Sequence, residues 1–131
     1  MRHSTNALTA RYCKQKGWVC ETVQRFYGGR RHDLFGFVDS VILKPDSPVI
    51  FAQNCSKGSL AAHRAKIDAK EVSEAKKLLL ASGAILCCVE WKRKKTKVGN
   101  RKVYRWWIRT QTRSRVLGWT DPSPWEGPLD L

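Results

Sequence analysis

Residues 4–16 place Leu8 and Tyr12 one helical turn apart, with Cys13 beside them and the capping side chains Ser4, Thr5 and Asn6 ahead. This predicts a short helix that Gly17 ends. Residues 18–26 then alternate as a strand does, with Val19, Glu21, Val23 and Arg25 on one side and Cys20, Thr22, Gln24 and Phe26 on the other. Residues 27–31 (Tyr-Gly-Gly-Arg-Arg) have turn chemistry and two cations, Arg30 and Arg31. Residues 34–43 are apolar on both faces apart from Asp39 and Ser40, which predicts a buried strand. After the Pro-Asp-Ser-Pro turn at 45–48, residues 49–55 repeat that pattern.

One long helix is predicted over residues 59–81, through Leu60, Ala61, Ala65, Ala69, Val72, Ala75, Leu78 and Leu79, with Ser82-Gly83 as its stop. Residues 84–91 read as a third buried strand, and residues 103–109 pair with it across a basic loop. The order is α-β-β-β-α-β-β. Strand, long helix, strand implies a crossover onto a mixed sheet, hence an α/β fold. Residues 1–118 form the predicted single domain, and the Pro- and Gly-containing stretch 119–131 is an extended or disordered tail.

Composition adds a field to this outline. Twenty-five Lys and Arg face 11 Asp and Glu, a formal charge of +14 on 131 residues. So small a body cannot bury such an excess, and its surface potential attracts polyanions. Nucleic acid is the expected partner; solubility tuning or an anionic membrane surface are the alternatives.

The five cysteines, Cys13, Cys20, Cys55, Cys87 and Cys88, are odd in number and match no zinc spacing. They read as reduced, small apolar residues of a cytoplasmic protein, or of the host cytoplasm if the chain is phage-encoded. No apolar run reaches the roughly 20 residues that cross a bilayer, and the first seven residues lack a signal-peptide pattern.

Where acids are scarce, their positions are informative. Asp33 and Asp39 share parity across an extended segment, and a carboxylate inside an apolar strand is costly to bury unless paired, hydrogen-bonded or metal-bound. One strand later Gln53-Asn54-Cys55 again interrupts an apolar run. If the strands are neighbours, Asp39, Gln53 and the Asn54 carbonyl make an oxygen-rich seat for Mg²⁺ or Mn²⁺. In a basic groove such a metal polarises a phosphodiester and activates water. The plainer alternative is Asp39 capping a turn and Gln53 satisfying backbone amides.

These segments carry a resemblance. The run Arg30-Arg31-His32-Asp33-Leu34-Phe35-Gly36-Phe37-Val38-Asp39, then Gln53-Asn54-Cys55-Ser56-Lys57-Gly58 and His63-Arg64-Ala65-Lys66-Ile67, resembles the PD-(D/E)XK nuclease superfamily. Within it, the run is similar to small phage and archaeal-type Holliday junction resolvases. The resemblance spans about residues 7–110 and implies a restriction-endonuclease-like core, a metal-dependent endonuclease acting on branched or four-way-junction DNA, and a homodimer. It places Asp39 at the superfamily's metal-binding aspartate, Gln53 at its second acid, Asn54 at the residue lending a carbonyl, and Cys55 at its lysine. It further implies Glu21 as an assisting acid, and Asp33 either orients the site or caps the turn after Arg31.

Two departures bear on catalysis. Glutamine offers an oxygen without charge, and cysteine cannot replace a cation that stabilises charge developing on phosphate. Lys57 and Lys66 are the candidate replacements. Lys66 is preferred because a helix holds it more rigidly and because it shares a face with His63. A catalytically degenerate DNA-binding protein of the same fold is the rival reading. A basic RNA-binding or membrane-surface protein is the third.

The densest charge run, Lys92, Arg93, Lys94, Lys95, Lys97, Arg101 and Lys102 around Gly99-Asn100, predicts a cationic loop or arm gripping phosphates without reading bases. With Arg30, Arg31, Lys57 and His63 it makes up the expected nucleic-acid surface. Of six tryptophans, Trp18, Trp91 and Trp106 are expected in the core. Trp107 and the 119–125 tail are the expected dimer contacts.

Overall fold

The computed structural model describes residues 4–131 and opens with helix α1, Thr5–Gln15, whose first turn is capped by the Ser4 hydroxyl accepting from the Ala7 amide at 3.1 Å. Strands β1 (Val19–Thr22), β4 (Ser40–Leu43), β5 (Ile50–Ser56), β6 (Ile85–Val98), β7 (Arg101–Ser114) and β8 (Gly118–Trp119) lie side by side in that order, and β9 (Glu126–Leu129) joins the outer edge of β7. Only β5 and β6 run parallel; the other neighbours are antiparallel. The chain is therefore an α/β protein with a mixed central sheet. The crossover between the parallel strands consists of α2 (Leu60–Ile67), a 3₁₀ turn (Lys70–Val72) and α3 (Ser73–Ala81).

Alternation along the strands builds two apolar layers. Leu8 and Cys13 of α1 pack with Ile42, Ile50, Ala52, Cys87, Val89, Trp91 and Ile108 on one face of the sheet. Ile67, with Leu79 and Leu80 at its edge, packs with Phe37, Val38, Leu86 and Cys88 on the other. Adjacent Cys87 and Cys88 thus enter opposite cores, as a period of two dictates. Trp91 is buried, with its indole N–H donating to Thr9 Oγ1 at 3.0 Å. Tyr12, Trp18 and Trp106 form edge-on contacts around it or its neighbours.

Four segments differ from the pattern-based expectation, each for a local reason. The single helix expected over 59–81 is broken after Ile67. Asp68 stops α2, and its carboxylate accepts from Lys76 Nζ at 3.2 Å, Arg113 Nε at 3.1 Å and Trp119 Nε1 at 2.7 Å, tying the break to β7 and β8. The strand expected over 34–43 is only β4. Phe35 and Gly36 take positive φ of 56° and 83°, and a Cβ at Gly36 would meet Val72 Cγ1 at 2.9 Å, so the chain turns there.

The strand expected over 18–26 ends at Thr22, and its continuation is a separate hairpin of β2 (Arg25–Tyr27) and β3 (Arg30–His32) in place of a loop. Finally, the basic loop expected between residues 91 and 103 is the outer half of a β6–β7 ribbon turned by Gly99-Asn100.

The tail is extended and paired along β7. Thr120 N donates to the Thr112 carbonyl at 2.9 Å and Ser123 N to the Thr110 carbonyl at 2.8 Å, covering an edge that would otherwise offer free ladder groups. Trp107 lies against Gly127, where a Cβ would collide with its ring, and Trp125 takes Lys92 and Arg109 over its face, each at 4.4 Å. These tryptophans, expected at a dimer contact, are engaged within the chain.

Glu90, buried in the sheet, pairs with Arg109 of the neighbouring strand. Arg109→Met should cost about 3 kcal/mol in urea unfolding, because it strands a buried carboxylate. Adding Glu90→Gln should recover most of that loss. Equal losses in the single and double variants would show that the ion pair is not what Arg109 contributes.

Candidate functional site

The β4–β5 ladder ends with Ser40 opposite Ala52, and just beyond it the Asp39 N–H donates to the Ala52 carbonyl at 2.9 Å, which brings Asp39 to the Gln53–Asn54 stretch of β5. Asp39 and Gln53, both at least nineteen-twentieths buried (5% and 1% exposed), reach the wall of one cleft of about 840 Å³. The cleft opens where β4 and β5 end, between the first turn of α1, the β2–β3 hairpin and α2. Asp39 Oδ2 accepts from the Asn54 backbone N–H at 2.9 Å. Gln53 Nε2 donates to the Phe37 carbonyl at 2.5 Å, which fixes the amide and leaves Oε1 as its ligand-capable atom.

Asn54 divides its roles. Its side chain is consumed on the α1 face, with Oδ1 accepting from Thr9 and Nδ2 donating to Asn6 Oδ1 and Ser40 Oγ. Its backbone is placed differently. The Val49 carbonyl accepts from Ile85 N and Lys57 N donates to the Trp91 carbonyl, so odd-numbered peptide groups of β5 face β6. By alternation the Asn54 N–H and carbonyl point the other way, past the end of β4 and alongside Asp39.

A second acid joins Asp39. Asp33 comes close not through an extended strand, as its parity suggested, but through the turn at Phe35-Gly36. Gln24 Nε2 bridges the two, donating to Asp33 Oδ1 at 2.7 Å and Asp39 Oδ1 at 3.3 Å. Lys66, an exposed residue of α2, forms its ion pair with Asp33 Oδ2. Burial tends to raise Asp33, but the bonds from Gln24 and Lys66 prevail and hold its carboxyl below the usual value. Among the described residues Asp39 takes part in no ion pair. Burial pushes it up to about 6 against the Asn54 amide bond, with Asp33 adding repulsion. The pair is thus one stabilised carboxylate beside one that is expensive to ionise, a disposition that a bound cation would relieve.

Cys55, at the superfamily's lysine position, borders the same cleft, but burial pushes its thiol up to about 12. It is therefore a neutral side chain at physiological pH. Lys66 reaches the cleft, whereas Lys57 lies in a second groove at the root of the β6–β7 ribbon. His63 lines the cleft as Lys66 does, and its Nδ1 donates to the Ser59 carbonyl at 2.8 Å.

Glu21, expected to assist, is exposed on β1 opposite Val41 and is not among the cleft's lining residues. Gln24, three residues on and just past β1, enters the cleft instead. Sequence reading missed it because a glutamine within an alternating run carries no chemical signal of its own.

The cleft's rim is cationic and aromatic. Arg25, Phe26, Tyr27, Arg31 and His32 of the hairpin overhang it, and Arg30 stands exposed at the hairpin's turn. Ser4, Thr5 and Ser56 line both this cleft and the second groove, whose far wall carries Arg93, Tyr104 and Arg105 of the ribbon. The two depressions therefore adjoin, running from the acidic pair to Arg93 and Arg105 of the ribbon, whose strands also carry Lys92, Lys94, Lys95, Lys97, Arg101 and Lys102.

Among the described residues no group of three or more His, Cys, Asp and Glu side chains is assembled as a metal cage, and no helix is long and apolar enough to cross a membrane. No protein-family model, curated protein or solved structure matches the chain.

Proposed function

We propose that the chain is a metal-dependent endonuclease of the restriction-endonuclease-like type that hydrolyses phosphodiester bonds of branched DNA. The observation that carries the reading is the meeting of Asp39 and Gln53 across β4 and β5 inside a cleft rimmed by arginines. A protein of charge +14 that keeps two carboxylates together in a cleft rimmed by arginines maintains them against burial and mutual repulsion. Nucleic-acid hydrolysis gives such an arrangement a purpose.

The donor set fits Mg²⁺ or Mn²⁺: Asp39 carboxylate, Gln53 Oε1 and the Asn54 carbonyl are hard oxygen atoms, with room in the cleft for the waters such ions retain. When bound, the ion would polarise the phosphate and lower the pKa of a water. The chain's own residues do the rest. Asp33 and Gln24 hold Asp39 in orientation, Lys66 places positive charge at the phosphate, and the hairpin arginines seat the backbone. Glu21 has no part in this reading. Because a four-way junction presents two related strands, two copies of the chain would act on it together.

One observation favours a second reading, a DNA-binding protein of this fold without catalysis. The charge of the seat comes from aspartates alone, Gln53 supplies none, and Cys55 stays neutral. Labelled four-way junction, duplex and single-stranded DNA incubated with Mg²⁺ or Mn²⁺ decide between the two. Metal-dependent cutting of the junction is the expected result. Tight binding with no cutting under either metal would leave only the second reading.

A further inference from the structure

We infer that the β2–β3 hairpin is a stacking site for unpaired nucleobases, so that the DNA held in the cleft has unstacked nucleotides beside the phosphate at Asp39. The inference rests on the nucleic-acid reading above but not on catalysis.

Phe26 and Tyr27 are 73% and 61% exposed on a hairpin of only three residue pairs, where large aromatic surface has no structural use. A two-stranded ribbon of this length gains nothing from side chains that pack on nothing. The pairing sets Phe26 opposite Arg31 on one side, while Tyr27 belongs with Arg25, Arg30 and His32 on the other. His32 stacks on Tyr27 with centroids 3.7 Å apart and planes 6° from parallel, which engages one face of a ring that stays largely exposed. Both aromatics line the cleft.

The charge around them selects the occupant. Arg25, Arg30 and Arg31 interleave with the two rings, and the hairpin itself carries no acid. Aromatic faces set among cations are the arrangement that binds single-stranded nucleic acid, with phosphates on the arginines and bases on the rings. An apolar protein partner would gain nothing from three arginines so close.

Position then specifies which bases. The hairpin's root is fixed to the acidic pair: Val23 N donates to the Asp39 carbonyl at 2.8 Å, and Gln24 bridges Asp33 and Asp39 immediately before β2. Tyr27 follows Gln24 by three residues, roughly 10 Å of extended chain. The base on Tyr27 therefore lies within a short run of nucleotides of the phosphate at Asp39. Fully paired duplex cannot offer a free base there, whereas a branch point, bulge or single strand can.

The test compares a paired duplex, the same duplex with a three-nucleotide bulge, and a single strand by fluorescence anisotropy in EDTA, so that cleavage plays no part. The bulge carries 2-aminopurine. Phe26→Leu/Tyr27→Leu is set against wild type and against Arg30→Gln/Arg31→Gln. At about 5- to 100-fold per stacked base, the leucine variant should lose about 20-fold or more on bulged and single-stranded probes and less than about twofold on duplex, with its salt dependence unchanged. Wild type should quench the 2-aminopurine and the leucine variant should not. The glutamine variant should weaken all three probes together.

A leucine variant that binds the bulge like wild type, or loses equally on all three probes, overturns the stacking site while the nucleic-acid reading stands. Wild type binding none of the probes removes both. Circular dichroism melts of the leucine variant should stay close to wild type, since both rings are exposed and only the Tyr27 stack on His32 is lost.

Discussion

Asp39→Asn is expected to abolish metal-dependent cutting, by about three orders of magnitude or more, and at the same time to make the protein more stable at neutral pH. The loss follows from the seat's chemistry: Asp39 is the charged ligand beside the neutral Gln53 oxygen, and several kcal/mol of charge stabilisation depart with it. The gain in stability follows from linkage. In the fold the Asp39 carboxyl titrates near 6 and in the unfolded chain near 3.8, chiefly because it is buried. The native state therefore holds its proton more tightly. The contribution of Asp39 to stability is therefore greatest below about pH 3.8, falls as pH climbs to about 6, and stays lower above.

Asparagine removes that cost, which is at most about 3 kcal/mol. Its oxygen can still accept from the Asn54 amide, but its Nδ2 would face Gln24 Nε2, donor against donor, at a cost of about 1 kcal/mol. The net expectation is a Tm a few degrees above wild type at pH 7.5, with the difference gone by pH 4. Millimolar Mg²⁺ should raise the wild-type Tm and leave that of the variant unmoved. A variant that cuts at the wild-type rate, or that metal stabilises equally, would show that the site lies elsewhere.

How the acidic pair is held explains what could be read before the fold was known. Asp39 and Gln53 were legible because each interrupts an apolar run, and a polar residue in a buried strand needs a reason. Their meeting was legible because antiparallel neighbours with one turn between them bring such interruptions to the same sheet end. Lys66 could be preferred to Lys57 on the rigidity of a helix; it lines the cleft, paired with Asp33, and Lys57 lines the neighbouring groove.

What could not be read depended on long-range partners. Gln24 matters only because Asp33 and Asp39 come to it from nine and fifteen residues away. The break at Asp68 is fixed by Lys76, Arg113 and Trp119, two of them far along the chain, and no local propensity announces it. The hairpin was hidden for another reason. An alternating run from 18 to 26 has the same period whether it is one strand or two, and Gly28-Gly29 marks a turn without saying which strands it joins. The tail's Pro and Gly content suggested an extended or disordered arm without choosing between them, and its hydrogen bonds go to β7, whose outer edge would otherwise be bare.

The ribbon formed by β6 and β7 should supply most of the salt-sensitive affinity. Its register puts Lys94 opposite Arg105 on one face, and Lys95 opposite Tyr104 and Lys97 opposite Lys102 on the other, so both faces are cationic. A two-stranded ribbon is narrow enough to enter the major groove, where two basic faces meet the phosphates of both walls. Each phosphate neutralised contributes about 0.9 to the slope of log affinity against log salt.

Lys94→Gln/Lys95→Gln/Lys97→Gln should therefore flatten that slope by about 2 to 3 and weaken duplex binding roughly 10- to 100-fold near 0.1 M salt. Its Tm should hold or rise slightly, because like charges directly opposite, as at Lys97 and Lys102, repel. The control is Lys14→Gln/Lys70→Gln/Lys77→Gln, three exposed lysines on the helices with the same change in net charge. If the control flattens the slope as much, only the protein's overall charge is at work and the ribbon does not touch the phosphates. If the ribbon variant alone does so, the nucleic acid lies along the path that joins the ribbon to the cleft through Ser4, Thr5 and Ser56.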